Sequence, residues 1–184
     1  TLRHVLSHRA GLPGVPAKID MDRLGDHRHI RQVLANAPMD NPSGVNSAYH
    51  ALTGGYILWQ VVREVTGKCI KDLQDEWVCK PLGLNLMNYG LPTQYRAKRA
   101  PDVFTGPPAF YPFTKIVGRA LGVSLKEVCG LTNDPRFLDG VVPSANVFAT
   151  ANEACMYFEM LRCGGRLNGQ QVFAESTIRQ AVSR

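Results

Sequence analysis

Apolar residues recur along most of this chain at intervals of three and four, the spacing that gathers them on one face of an α-helix. Alternation with a period of two is scarce. Thr1 precedes Leu2, Val5 and Leu6, a capping threonine followed by apolar positions at i, i+3 and i+4, so the chain is predicted to open in a helix. Gly11-Leu12-Pro13-Gly14-Val15-Pro16 then breaks the backbone into a loop. A short helix is predicted over 26–35 with Ile30, Val33 and Leu34 inward, and 38–47 is loop again. The strongest pattern covers 48–66, where Leu52, Tyr56, Trp59, Val62 and Val65 form one stripe and Gly67 is placed to stop the helix. Gly54 and Gly55 would weaken that helix, so their presence predicts close packing against another element. A further helix over 70–79 puts Ile70, Leu73 and Trp77 on one face and is expected to end before Pro81.

Residues 82–112, rich in Pro, Gly and Tyr, read as a long excursion, a length of loop that is commonly functional or carries small elements of its own. Helices are predicted over 113–121, 125–131 and 150–162, the last with Ala151, Ala154, Cys155, Phe158 and Leu161 inward and Gly164-Gly165 as its end. Asn168-Gly169 at the centre of 166–172 marks a tight hairpin turn, and 175–182 returns to helix behind a Ser176 or Thr177 cap. Helices plus one small hairpin make the chain mainly α. It lacks the βαβ alternation of a nucleotide-binding or α/β-hydrolase fold, and its 184 residues fit a single domain without internal repeats.

Composition changes this picture little. Hydrophobic residues at 45% and charged residues at 20% are ordinary globular usage, enough to build a core. The net charge of +6 comes from basic residues scattered along the chain, and the densest cluster, 96–99, is short. Such scatter is a solvated surface, which argues against nucleic acid or an anionic membrane as partner. The apolar run around 56–62 is too short to cross a bilayer, and the first residues lack a charged-then-apolar signal pattern, so a soluble, cytoplasmic chain without a membrane span is expected. Five cysteines, with no Cys-x-x-Cys pair and no ligand-spaced histidine, argue against a zinc site or a disulfide framework. Cys155 and Cys163 fall within helical periodicity and are expected to be buried as small apolar residues. No metal or cofactor is expected.

Several catalytic signatures are absent: Gly-x-Ser-x-Gly, the phosphate loop, Gly-x-Gly-x-x-Gly and His-Glu-x-x-His do not occur. Neither does Ser-x-x-Lys. Ser124-Leu125-Lys126 comes nearest and is one residue too short to bring the lysine one helical turn from the serine. The triplet Tyr49-His50-Ala51, at the mouth of the 48–66 helix, is the best candidate for chemistry. Taken alone, a tyrosine there is ordinarily a core or interface side chain with its hydroxyl satisfied. Likewise His4, His8, His27 and His29 read as capped or packed histidines, Trp59 and Trp77 as core, and Asn146 as a turn residue.

Three segments in fixed order nevertheless resemble the serine β-lactamase and penicillin-binding-protein-like superfamily, most closely its family VIII carboxylesterases, which are related to class C β-lactamases. Leu2-Arg3-His4-Val5-Leu6-Ser7-His8-Arg9-Ala10-Gly11-Leu12-Pro13 is similar to the stretch that follows the family's nucleophile helix. Tyr49-His50-Ala51 stands where that family has Tyr-x-Asn or, in the esterases, Tyr-His-Ala, and Pro81-Leu82-Gly83-Leu84 is similar to a later motif. Asn133-Asp134-Pro135, Pro143-Ser144-Ala145-Asn146 and 163–169 resemble the segment leading to the family's last strands. In that family the serine of Ser-x-x-Lys attacks an ester or lactam carbonyl, lysine and tyrosine manage the proton, and backbone N–H groups hold the oxyanion.

The resemblance implies that Tyr49 is the catalytic base and that Leu12, Gly14, His50 and Asn146 line the substrate pocket. A phenol with an ordinary pKa near ~10 is a poor base without a neighbouring cation, the lysine's part in the family. It also implies the helical subdomain of a β-lactamase/transpeptidase-like fold, residues 1–184 being one helical domain of a larger hydrolase without most of the α/β sheet region. The substrate of the full-length protein would be a small-molecule ester or lactam. Pro42-Ser43-Gly44-Val45 replaces the usual Pro-Gly-Thr, and Asn146-Val147 replaces a frequent Asn-Gly.

With no Ser-x-x-Lys, the chain is expected to be inactive by itself. The alternative from another class is a non-catalytic binding or interaction module on the same scaffold, its apolar surface covered by a partner or a second copy in a homo-oligomer. A different nucleophile, Ser7 beside His8, is disfavoured because sequence neighbours on a helix do not face each other.

Overall fold

In a computed structural model, which describes residues 1–14, 20–105 and 110–183 (backbone alone at 116, 117, 119 and 120), about half of the chain is helical and the strands are few and short. In chain order the α-helices are α1 (Leu2–Leu6), α2 (His27–Ala35), α3 (Thr53–Thr66), α4 (Ile70–Gln74), α5 (Lys80–Leu82), α6 (Phe113–Leu121), α7 (Leu125–Thr132), α8 (Pro135–Asp139), α9 (Ala151–Arg162) and α10 (Glu175–Val182). The two-residue strands are β1 (Asn88–Tyr89), β2 (Val147–Phe148), β3 (Arg166–Leu167) and β4 (Gln170–Gln171). Val15 and Pro16 of the first loop and part of the 82–112 excursion lie outside the described residues. Contacts gather the chain into two compact units, Thr1–Gly67 with Tyr89–Asn146, and Lys68–Asn88 with Val147–Arg184.

In the first unit, helices begin where the sequence supplies caps. Thr1 Oγ1 accepts from the His4 N–H at the head of α1. Asp26 accepts from the N–H groups of Arg28 and His29, and its carboxyl is held at about 2, first by the His29 N–H and then by the Arg23 guanidinium. Ser124 and Glu127 form a reciprocal capping box on α7. Helix α8 was not expected, although Asp134 caps it and Pro135 opens it, both ordinary start signals.

Helix α3 forms the centre of this unit and begins five residues later than the apolar pattern predicts. Its buried line is Thr53, Tyr56 and Trp59, each large apolar side chain contributing about 2–3 kcal/mol by leaving water. The Gln60 amide donates to the His27 carbonyl and ties α2 alongside. Val65, predicted inward, is exposed, because the buried line has turned away by the last helical turn, where left-handed Gly67 ends it. Gly55 meets the expectation of close approach: a Cβ there would overlap the backbone N and the hydroxyl of Ser144.

In the second unit, α4 runs into a widened π-turn at Asp75–Cys79 and on through Pro81 of α5 to left-handed Gly83. The widened turn shifts the helical register, so Val78 and Cys79 point inward and Trp77, predicted as core, is 50% exposed. Pro81, expected to follow the helix end, sits inside α5 where the hydrogen-bond pattern is changing. The core gathers Val78, Cys79, Leu82, Leu84 and Met160, with Met156, Tyr157 and Leu161 against it.

The inward face of α9 differs in part from the predicted one: Leu161 packs against the core as expected, but Ala151, Cys155 and Phe158 are exposed, and Glu153 and Met160 are the buried positions. Glu153 fixes this rotation. Its Oε1 accepts from the N–H groups of Asn85 and Leu86, both at 2.7 Å, so the helix turns a carboxylate into the core to satisfy two backbone donors. Both Cys155 and Cys163 are exposed, against expectation, and the buried thiol is Cys79, its pKa pushed up to about 11 by burial. The hairpin is as predicted, β3 pairing antiparallel with β4 across Asn168 (φ 48°) and Gly169 (φ 82°). Neither Ser176 nor Thr177 caps α10; Ala174 holds that position without a side-chain bond.

Candidate active site

The site is assembled on the segment that leaves α1. His8 follows the helix with φ 56°, a left-handed conformation unusual for a residue other than glycine, and redirects the chain. At Gly11 (φ 83°) a Cβ would overlap the Asn41 carbonyl, whereas glycine lets Asp40 N–H donate to the Gly11 carbonyl at 2.9 Å. The Pro42-Ser43-Gly44-Val45 departure is held against the same segment. Ser43 Oγ bonds to His4 Nδ1 at 2.8 Å, and Gly44 N–H donates to the Arg9 carbonyl at 2.7 Å.

Ala48 and His50 spend their polar groups on His8 and Leu12 instead of on a first helical turn, and α3 starts at Thr53. Ala48 N–H donates to the His8 carbonyl at 2.9 Å, and His50 N–H donates to His8 Nδ1 at 3.2 Å. The His50 ring is 2% exposed and both of its nitrogens are engaged. Nε2 accepts from Leu12 N–H at 3.0 Å, which leaves the ring proton on Nδ1, facing the Ala48 carbonyl. A second proton would set Nε2–H against Leu12 N–H. The His50 pKa accordingly lies below the ordinary value, first through burial, with the Ala48 carbonyl opposing and His8 adding to the depression. Thr53 Oγ1 donates to the Leu12 carbonyl at 2.6 Å, so Leu12 is gripped at both ends of its backbone.

Tyr49 stands on this base with its ring edge-on to His8, centroids 5.0 Å apart at 62°, while His8 stacks on His50 at 5.9 Å. The Tyr49 side chain is 64% exposed. The structure thus brings Tyr49, His50 and Leu12 together, and half-buried Gly14 lies at a bend two residues further on. Asn146 is spent elsewhere. Its Oδ1 accepts from Val142 N–H at 2.8 Å and its Nδ2 donates to the Phe137 and Gly140 carbonyls at 2.9 and 2.8 Å, so the carboxamide clasps its own loop. Ser7 Oγ donates to the Arg3 carbonyl at 2.7 Å and is not engaged with His8. His8 and Thr53 were not expected as parts of this assembly. Their partners lie about forty positions away along the chain, and local pattern carries no sign of them.

A cleft of about 650 Å³ in the same unit is lined by Leu52, just before α3, and Tyr56 of α3, with residues of α7 and α8, and by none of the five candidate site residues. Among the described residues no group of histidine, cysteine and acidic side chains is arranged to hold a metal ion, and no helix is long and apolar enough to cross a membrane.

A family model described as Beta-lactamase matches residues 1–184, and the chain belongs to that family. It is 28% identical over 186 aligned residues to the esterase/beta-lactamase LipL of Mycobacterium tuberculosis, covering 92% of this chain and 42% of that protein. Among solved structures it resembles a penicillin-binding protein homolog from Caulobacter crescentus, with 29% identity, a TM-score of 0.81, all of this chain and 48% of the other. A family VIII carboxylesterase also matches at a TM-score of 0.81, with 27% identity, 97% of this chain and 47% of that one. The chain spans less than half the length of each of these relatives.

Proposed function

We propose that these residues form the helical region of a serine carboxylesterase of the β-lactamase-like fold, hydrolysing a small-molecule ester through an acyl-enzyme. Tyr49 acts as the base, with Leu12, Gly14, His50 and Asn146 in the pocket wall. What supports this best is the presentation of Tyr49, an exposed phenol on a turn whose buried polar groups are matched, in a chain whose whole length fits the family. A base works when its position is held by rigid surroundings, and the His8–His50–Leu12 network supplies them. In this reading the hydroxyl of a Ser-x-x-Lys serine attacks the ester carbonyl and passes its proton toward Tyr49. Backbone N–H groups carry the oxyanion, and water later releases the acid. Asn146 then contributes by shaping the 142–146 loop, because its carboxamide is already committed to the backbone.

Ser-x-x-Lys does not occur within residues 1–184, so the chain by itself is expected to be inactive. Intact mass after treatment with a fluorophosphonate should show no adduct on this chain, and a stoichiometric adduct would overturn the assignment. A longer chain that includes the motif should be labelled and should hydrolyse 4-nitrophenyl butyrate. In it, Tyr49→Phe should lower kcat by about 10²-fold or more. Unchanged kcat would remove Tyr49 from the chemistry.

One observation favours a second reading, a non-catalytic interaction module. Large apolar side chains such as Phe158, 65% exposed, stand on the surface. Light scattering after size exclusion decides it: a strictly monomeric chain argues against a homo-oligomer that covers them.

A further inference from the structure

The net charge of +6 is carried unevenly, although the basic residues themselves are scattered. Between Glu76 and Glu127 the one acidic residue is Asp102. Residues 96–126 therefore hold six basic residues against one acidic, a net +5 of the chain's +6. Within this stretch Arg96 is neutralised by Asp139, and the Arg99 guanidinium donates to Asn133 Oδ1. Lys98, Lys115 and Lys126 are exposed and have no carboxylate partner among the described residues.

The same stretch presents aromatic rings to solvent. Phe110 is 77% exposed, Tyr111 74% and Phe113 52%, and every residue from 110 to 115 is exposed, so these rings and the Lys115 ammonium share one continuous surface at the head of α6. The other end of the helix, Leu121, lines the cleft about 12 Å away along the axis. At about 200 Å² per ring, the exposed aromatic surface is of order 400 Å², a size at which an apolar patch marks a contact. Two features favour a lipid surface over nucleic acid as that contact. The unpaired cations are lysines, point charges without the forked geometry by which arginine grips a phosphate. Phe110 and Phe113 carry no polar group, while Tyr111 joins a ring to a hydroxyl, the amphipathic type enriched where hydrocarbon meets headgroups.

We propose that residues 110–115 dock this protein on an anionic lipid bilayer, Phe110, Tyr111 and Phe113 entering the interface while Lys98, Lys115 and Lys126 are drawn to its headgroups. Charge brings the surface to the membrane, and the rings hold it there. The scatter of basic residues argued against an anionic membrane; the clearing of acidic residues from 77–126, apart from Asp102, reverses that expectation. None of Tyr49, His50, Leu12, Gly14 and Asn146 belongs to this stretch, so the docking surface is separate from the proposed esterase centre and its test requires no turnover.

Flotation of the chain with vesicles tests this, using phosphatidylcholine alone and an equimolar mixture with phosphatidylglycerol. Binding to the mixed vesicles should be saturable and about tenfold or more tighter than to phosphatidylcholine. Raising salt from about 0.1 to 1 M, which shortens the screening length from about 10 to 3 Å, should weaken it by a similar factor. Phe110→Ser combined with Phe113→Ser should reduce binding about tenfold or more, and Lys115→Gln about fivefold, with circular dichroism used to confirm the fold. Phe158→Ser, which removes an apolar ring that is 65% exposed on α9, should leave binding unchanged. Absence of saturable binding to mixed vesicles, equal affinity for phosphatidylcholine, undiminished binding by the double variant, an equal loss in Phe158→Ser, or tighter binding of oligothymidylate than of mixed vesicles would each overturn the proposal. If the double variant does not fold, the comparison of the two vesicles and Lys115→Gln still decide it.

Discussion

Tyr49 and Tyr56 are seven positions apart in the chain, and their surroundings treat polar groups in opposite ways. Around Tyr49 the network is closed: His50 uses both ring nitrogens, His8 accepts from His50 N–H, and Leu12 is held at N–H and carbonyl. The closed network holds a phenol out toward solvent. Around Tyr56 the wall is apolar and the phenol is inside, its hydroxyl unmatched. A closed network makes a stable pedestal for a side chain that reacts with something outside it. An open one leaves a buried donor unsatisfied, at a cost of about 1–3 kcal/mol of stability.

The largest test of this contrast is Asn146→Leu, which removes the clasp beneath Val142 and Ala145 of the cleft wall. It strands a buried N–H and two carbonyls, so stability should fall by about 3 kcal/mol, read as a lower midpoint of urea unfolding. On the Tyr49 side, His8→Ala removes the acceptor for His50 N–H and places alanine at φ 56°, and should cost about 1–2 kcal/mol. His8→Asn should recover part of that, because asparagine tolerates the left-handed region and offers an acceptor oxygen. No loss in His8→Ala would show that neither the bond nor the backbone conformation matters.

Acidification is a gentler probe. The folded His50 pKa lies below the ordinary value near 6.5, so as pH falls the unfolded chain takes up the proton first. The stability this residue contributes is therefore complete above about 6.5 and is lost as pH drops below it. Unfolding free energies at pH 7.5 and 5.5 should differ in that sense (measured about one unit either side of the ordinary His value), and less so in His50→Gln. His27 is shifted the same way, by burial first and then by Arg63, so the difference between the two slopes isolates His50. The smallest expected effect is that of Tyr49→Phe on stability, within about 0.5 kcal/mol, because the side chain is 64% exposed. A larger loss would mean that its hydroxyl is part of the pedestal.

Much of the fold was legible because its signals are local. Thr1, Asp26, Ser124 and Thr150 start helices through bonds reaching two or three residues along the chain, and Gly67 and Asn168-Gly169 act through their own backbone angles. Reading failed where a distant partner decided. Residues 48–52 had helical pattern, but hydrogen bonds to His8 and Leu12 took the polar groups of Ala48 and His50. The face of α9 was misjudged because Glu153 serves Asn85 and Leu86, and Trp77 because one widened turn changed the register. At the candidate site, resemblance drew attention to Tyr49, His50 and Leu12, which the fold does bring together. Hydrophobic period could not find His8 or Thr53, whose part is to hold polar atoms from another segment.

The contact between Gly55 and Ser144 has a consequence for the order in which this unit forms. It joins two stretches far apart in sequence, so α3 cannot take its final seat until the 142–146 loop has been delivered. Closing so long a loop adds only a logarithmic entropy penalty, but contacts of high sequence separation slow folding. During synthesis, a nascent chain therefore carries Tyr56 without the Phe137 and Val142 side of its cleft while the residues between Tyr56 and Val142 are made. The interval between translating α3 and translating the loop is a window for chaperone capture, and bulk added at position 55 should lengthen it by slowing the docking step.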